Sequence, residues 1–137
     1  MTRAYLAFTE KGLALAQKLA SALPGTAHAD ALIFVGAVGI AVRAIAPHCR
    51  NKAVDPAVVV LDECGHFAVP ILSGHLGGAN DLARALAAVC GAVPVITTAT
   101  DANGVFAVDA WARHQNCAVL EPGRIKRVSS RLLAGGP

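Results

Sequence analysis

The chain has 137 residues and a net charge of +3, with 55% hydrophobic, 15% charged and 4% aromatic residues. This length is enough for one domain with its own core, and the low charged content excludes a disordered or coiled-coil chain. The scarcity of aromatic residues and the lack of a basic run argue against nucleic-acid binding.

Membrane and disulfide features are also missing from the sequence. The longest apolar run, residues 31–42, ends at Arg43 and falls short of the roughly 20 residues that a membrane-spanning helix needs. The first residues lack the apolar core of a secretory signal. Four cysteines without a Cys-x-x-Cys pair are typical of reduced thiols. We therefore expect a cytoplasmic protein that makes no contact with membranes.

Strands and helices alternate in the first half of the sequence. A strand over residues 5–8 leads to Thr9, the predicted N-cap of a helix whose apolar periodicity runs to Leu23. The continuous apolar segment Ala31–Val35 is typical of a strand that is buried on both faces of a sheet. A glycine turn, Gly36–Gly39, then opens a short helix that Pro47 ends.

A hairpin follows. The predicted strands Ala57–Leu61 and Phe67–Leu72 are joined by a connection too short for a parallel crossover, so they must pair antiparallel. A second glycine-rich turn, Ser73–Asn80, precedes a helix that runs to Cys90. Residues Val93–Thr97 are predicted as another interior strand.

The remaining residues predict a helix over 105–115, an edge strand over 117–120 and a last helix that begins near Pro122. The whole pattern predicts one α/β domain over residues 1–137. Its class is a three-layer αβα domain with a mixed, mostly parallel sheet and one antiparallel hairpin.

Three turns follow predicted strands and carry small or polar residues: Gly36–Gly39, Ser73–Asn80 and Thr97–Asp101. Ligands of α/β sheets bind beyond the carboxyl ends of the strands, and backbone N–H groups at helix N-termini bind anions. We therefore expect the three turns to line one cleft. The first turn reads G-x-x-G, which lacks the G-x-G-x-x-G spacing of a dinucleotide site. Tight packing of helix on strand is its alternative role.

Catalytic candidates lie in these turns. His75 is the best candidate for a general base because imidazole titrates near neutral pH, although it would also serve as a helix cap. Ser73 is a candidate nucleophile or substrate donor, or an N-cap. Asp101 is a candidate to orient His75 or to accept a proton. Its alternative role is to stabilise the turn alone. Arg43 is a candidate for pairing with a substrate carboxylate, or a solvated arginine. No zinc-ligand spacing is present, so no metal site is predicted.

Four segments resemble the N-terminal part of CbiG-type cobalamin-biosynthesis proteins, the cobalt-precorrin-5A hydrolases. They are LIFVGAVGIAVR at 32–43, DPAVVVLD at 55–62, LSGHLGGAN at 72–80 and PVITTATD at 94–101. The resemblance runs from Phe8 to about Arg127 and is most specific at Ser73–Asn80. Family members carry a further C-terminal domain, which is absent from this chain and is an expected partner.

The resemblance implies that a δ-lactone of cobalt-precorrin-5A is opened and acetaldehyde is released. Cobalt belongs to this corrinoid substrate, so no resident cofactor is expected. His75 would activate water, and N–H groups at Gly74, Gly77 and Gly78 would hold the oxyanion. The other expected substrate contacts are Gly36, Gly39, Arg43, Asn80 and Thr98.

Three other functions stay open at this point. The domain is alternatively a non-catalytic corrinoid-binding module, a nucleotide-binding α/β domain, or a structural domain that docks a partner. A homodimer is also left open.

Overall fold

The structure is a computed structural model, and it describes residues 2–22, 29–74 and 77–99. Contacts divide the chain into two units, Met1–Val95 and Ile96–Pro137. The helices and strands given below belong to the first unit. The helices and strand expected beyond residue 104 lie outside the described residues.

The first unit is an α/β fold built on a five-stranded sheet. Its strands are β1 (Thr2–Ala7), β2 (Ala29–Val35), β3 (Ala57–Leu61), β4 (Phe67–Leu72) and β5 (Val93–Pro94), in the spatial order β1-β2-β3-β4-β5. Its helices are α1 (Glu10–Ala22), α2 (Val38–Ile45) and α3 (Ala79–Cys90), and a 3₁₀ turn, Ala46–His48, follows α2. Strands β1, β2 and β3 are parallel, β4 is antiparallel to β3, and β5 is parallel to β4. The mixed sheet and its antiparallel hairpin are confirmed.

The helices cover both faces of this sheet. On one face, Phe34 packs with Val58 and with Ala41 of α2. On the other face, a Cβ placed on Gly12 of α1 would lie 3.4 Å from Val35 Cγ1. Consecutive strand residues point to opposite faces, so α1 and α2 lie on opposite sides of the sheet.

Helix α3 shares the α1 side. A Cβ placed on Gly65 would lie 3.5 Å from Leu15 of α1 and 3.8 Å from Cys90 of α3, and the two helices contact each other. The described unit therefore has three layers. Every residue of β3 is buried, as expected of a central strand with helices on both faces.

The strand predicted over 93–97 is shorter in the structure than expected. Strand β5 has two residues and lies at the edge of the described sheet, and Val93 is 56% exposed.

Local hydrogen bonds begin α1 and close the hairpin. The Gly12 N–H donates to Thr9 Oγ1 at 3.0 Å, which confirms Thr9 as the helix cap. In the hairpin turn, the N–H groups of His66 and Phe67 both donate to Asp62 Oδ1 at 2.8 Å. Partial burial of Asp62 opposes ionisation, but these two donors outweigh it and lower the pKa of the carboxyl. Within the described ranges, no helix combines the length and apolar character needed to cross a bilayer.

Two leucines of α1 provide a matched test of this packing. Leu19 is 0% exposed whereas Leu13 is 51% exposed. We expect Leu19→Ala to lower the free energy of unfolding by about 2 to 5 kcal/mol, because it leaves a cavity under α1. Leu13→Ala should change it by less than about 0.5 kcal/mol. Urea denaturation of both variants measures the difference, and equal losses would contradict the orientation of α1.

Candidate functional site

The Ser73 turn is anchored to the chain segment that precedes β3. Ser73 is 7% exposed, has a φ of 56°, and donates from Oγ to the Asp55 carbonyl oxygen at 3.0 Å. The N-cap of α3 is Gly78, which has a φ of 82° and makes no side-chain cap. The N-cap alternative for Ser73 is therefore wrong.

The backbone of this turn folds back onto the first turn of α3. The Ala79 N–H donates to the Ser73 carbonyl at 3.1 Å, and the Asn80 N–H donates to the Gly74 carbonyl at 3.0 Å. The N–H groups of Gly74, Gly77 and Gly78 make no hydrogen bond to another described residue. They are the donors that remain for an anionic group at this helix N-terminus.

An apolar cavity opens beside the turn on the α2 face of the sheet. Its volume is 280 Å³, and Asp55, Leu72 and His48 line it near the turn. The remaining lining residues are Leu6, Leu32, Phe34, Ala44, Ile45, Cys49, Pro56 and Val58. The Asp55 carboxylate accepts the Arg50 N–H at 2.9 Å, which ties the segment after the 3₁₀ turn to the residues before β3.

Sequence reasoning missed this cavity. No motif or spacing in the sequence indicates that His48, Cys49 and Asp55 lie close together. The tertiary fold brings them to the Ser73 turn because the 3₁₀ turn after α2 ends at the sheet edge where β3 begins.

The Gly36–Gly39 turn lies at the other end of β3 from the Ser73 turn. Gly36 N–H donates to the carbonyl of Leu61, the last residue of β3, whereas Ser73 bonds to Asp55, just before β3. A five-residue strand separates the two turns by about 13 to 17 Å at roughly 3.3 Å per residue. The expected single cleft is therefore wrong, because β4 runs antiparallel to β2 and its carboxyl end points the other way.

The Arg43 side chain lies near the Gly36–Gly39 turn. A Cβ placed on Gly39 would lie 3.4 Å from Arg43 Nη1, so the guanidinium folds back along α2 toward that turn. Asn80 lies with the second turn and is 2% exposed. Thr98 belongs to the second unit, and His75 and Asp101 lie outside the described residues, so their roles stay predictions.

Comparison with known families adds to this geometry. The model of the family "Cobalamin synthesis G N-terminal" matches residues 24–101, more than half of the chain. The chain belongs to this family. The matched stretch contains both glycine turns, the hairpin and the cavity-lining segment from Ala44 to Pro56.

Two relatives of this family member are named cobalt-precorrin-5A hydrolase. The protein of Salmonella typhimurium is 44% identical over 145 residues, which cover 86% of this chain and 41% of the relative. The protein of Priestia megaterium is 48% identical over 82 residues, which cover 60% of this chain and 22% of the relative. The chain thus spans less than half the length of these relatives.

One solved structure has the same fold. A cobalamin biosynthesis protein G homologue from Sulfolobus solfataricus superposes with a TM-score of 0.63 over 97% of this chain and 46% of its own. Its sequence identity is 22%, so the likeness concerns the fold alone.

A substitution at Gly77 tests the close packing of the Ser73 turn. A Cβ at this position would lie 2.5 Å from Ser73 Cβ and 2.9 Å from the Ser73 carbonyl oxygen. We expect Gly77→Ala to cost about 1 to 3 kcal/mol of stability through this overlap. The control is Gly39→Ala, whose Cβ meets only the movable end of Arg43 and should stabilise α2 by about 0.5 to 1 kcal/mol. Thermal unfolding compares the two, and a neutral Gly77→Ala would refute the contact.

Proposed function

We propose that this domain acts in the hydrolysis of cobalt-precorrin-5A during cobalamin biosynthesis, in the cytoplasm. The observation that carries the proposal is the 44% identity, over 86% of this chain, with a relative of that name. Because the chain spans 41% of that relative, we assign the complete reaction to this domain together with a C-terminal domain.

The Ser73 turn is the proposed place of lactone opening. Opening a lactone needs an activated water and donors for the oxyanion that develops on the carbonyl oxygen. We assign water activation to His75 and oxyanion binding to the N–H groups of Gly74, Gly77 and Gly78. This assignment is supported by the donors left over at the N-terminus of α3, where the helix dipole also favours negative charge.

The loss of acetaldehyde follows lactone opening in this proposal. Cleavage of the carbon–carbon bond leaves its electron pair on the macrocycle, which serves as the electron sink. A base accepts the proton of the hydroxyl freed by lactone opening, and the oxygen of that hydroxyl becomes the carbonyl oxygen of acetaldehyde. Asp101 and His75 are the proposed proton acceptors. Cobalt enters and leaves as part of the substrate.

The other candidates receive revised roles. The Ser73 hydroxyl already donates to the Asp55 carbonyl, so we assign it to positioning the turn and not to nucleophilic attack. Asn80 and Thr98 remain proposed substrate contacts. The distance between sheet edges removes Gly36, Gly39 and Arg43 from the lactone, and we assign them to a different carboxylate of the substrate.

The size of the cavity supports a shared binding site. Pockets that enclose drug-sized ligands measure about 300 to 1,000 Å³, and a metallated tetrapyrrole is larger than such ligands. A cavity of 280 Å³ beside the Ser73 turn has room for part of the macrocycle only. The remaining surface must then come from outside the described unit, as the two-domain proposal requires.

Acetaldehyde release tests the proposal directly. Purified chain is incubated anaerobically with cobalt-precorrin-5A, alone and with the separately expressed C-terminal domain of the Salmonella relative. We expect acetaldehyde in the mixture with both domains. Corrinoid binding without acetaldehyde in either mixture would instead identify a non-catalytic binding module, and no binding at all would indicate a structural domain.

His75→Ala separates catalysis from helix capping. If His75 is the base, turnover in the complete system should fall by roughly 10²-fold or more while corrinoid affinity stays within a few-fold. If it only caps a helix, the variant should lose about 1 kcal/mol of stability and keep its turnover per folded molecule. His66→Ala is the control because this exposed histidine lies in the hairpin turn at the opposite sheet edge. Unchanged turnover in His75→Ala would reassign the base to Asp101 or to the C-terminal domain.

A further inference from the structure

A second cavity adjoins the apolar cavity on the α2 face of the sheet. Its volume is 340 Å³, and Arg50 lies in its wall. The residues that line both cavities are His48, Cys49, Asp55 and Pro56. The two cavities are therefore neighbouring parts of one groove, which is apolar on one side of these shared residues and bordered by a cation on the other.

The chemistry of this groove suits a corrinoid, which has a largely apolar ring with carboxylate side chains at its rim. The ring would lie against apolar side chains such as Phe34 and Val58, while a rim carboxylate would reach the Arg50 guanidinium. The groove covers one face of such a ring. The other face is left for the C-terminal domain of the proposed two-domain enzyme.

The shared residues lie where the cobalt of this substrate would be. Cobalt occupies the centre of the macrocycle, and the macrocycle is too large for either cavity alone. A ring placed across both cavities has its centre over the residues that line both. An electron-pair donor among these residues would therefore face the axial position of the cobalt.

Hydrogen bonds distinguish the donors at this junction. Both Asp55 carboxylate oxygens accept the Arg50 N–H, at 2.9 and 3.0 Å. The Cys49 thiol donates to the Ile45 carbonyl at 3.3 Å, so it is directed at the last turn of α2. The His48 imidazole makes no hydrogen bond or ion pair within the part of the chain that the structure describes. His48 is thus the shared residue whose side-chain donor is available to a metal ion.

We propose that the His48 imidazole is an axial ligand of the substrate's cobalt, an inference that rests on the proposed function because the metal arrives only with the corrinoid. Imidazole is the commonest metal-binding side chain in proteins. Its nitrogen supplies the electron pair of the new bond and a water molecule leaves the axial position, so the cobalt keeps its oxidation state. The bond holds the ring beside Asp55, whose carbonyl accepts the Ser73 hydroxyl at 3.0 Å, and so places the rim of the ring at the Ser73 turn.

Electron paramagnetic resonance of a cobalt(II) corrinoid tests the coordination without turnover. The probe is cobyrinic acid, which has free carboxylates and no nitrogenous base of its own, reduced to cobalt(II) under anaerobic conditions and added to the full chain. We expect each high-field cobalt line of the bound probe to split into a triplet, because a single axial nitrogen couples to the unpaired electron. Protein grown with histidine that carries the heavy nitrogen isotope should give doublets instead.

Three variants assign the nitrogen. His48→Gln keeps a polar side chain at this exposed position but removes the imidazole, so we expect it to lose the splitting. His66→Ala is the matched control and should keep the splitting, because His66 lies in the hairpin turn at the other end of β3. Arg50→Ala should also keep the splitting but weaken binding of the probe by about tenfold, since it removes one charged hydrogen-bond partner.

Two results would overturn the proposal: an unsplit cobalt spectrum with the parent chain, or splitting that persists in His48→Gln. Acetaldehyde release from cobalt-precorrin-5A is measured separately and does not depend on this spectrum. Acetaldehyde release together with an unsplit spectrum would therefore reject the axial ligand and keep the proposed function. Splitting that requires His48, without acetaldehyde, would instead keep the ligand and reject the hydrolysis.

Discussion

The antiparallel pairing of β3 with β4 is the constraint on which the rest of the described structure depends. The connection from Asp62 to His66 is too short to carry the chain across the sheet, so β4 must return beside β3. This reversal places Ser73 at the end of the sheet where β3 begins. It also separates the Ser73 turn from the Gly36–Gly39 turn, which lies where β3 ends.

The location of the cavity follows from the same reversal. Leu72 ends β4 beside Val58, and the 3₁₀ turn after α2 brings His48 over the same edge. The Ser73 hydroxyl then holds the turn to the Asp55 carbonyl and leaves glycine N–H groups at the start of α3. A glycine-rich turn beside an apolar cavity is an arrangement that presents backbone donors to an anion while water is displaced.

The sequence by itself determined the local elements and the family. The cap at Thr9, the buried run of β3, the hairpin and the glycine start of α3 all depend on neighbours within a few residues, and such interactions can be read from the chain. Only the tertiary structure decided which elements share an edge. The carboxyl ends of two antiparallel strands lie at opposite ends of a sheet. Ser73 and Gly36 are therefore far apart, although each follows a strand. Burial by distant residues likewise placed His48, Cys49 and Asp55 around one cavity, since contacts between segments far apart in sequence leave no periodic signal in either segment.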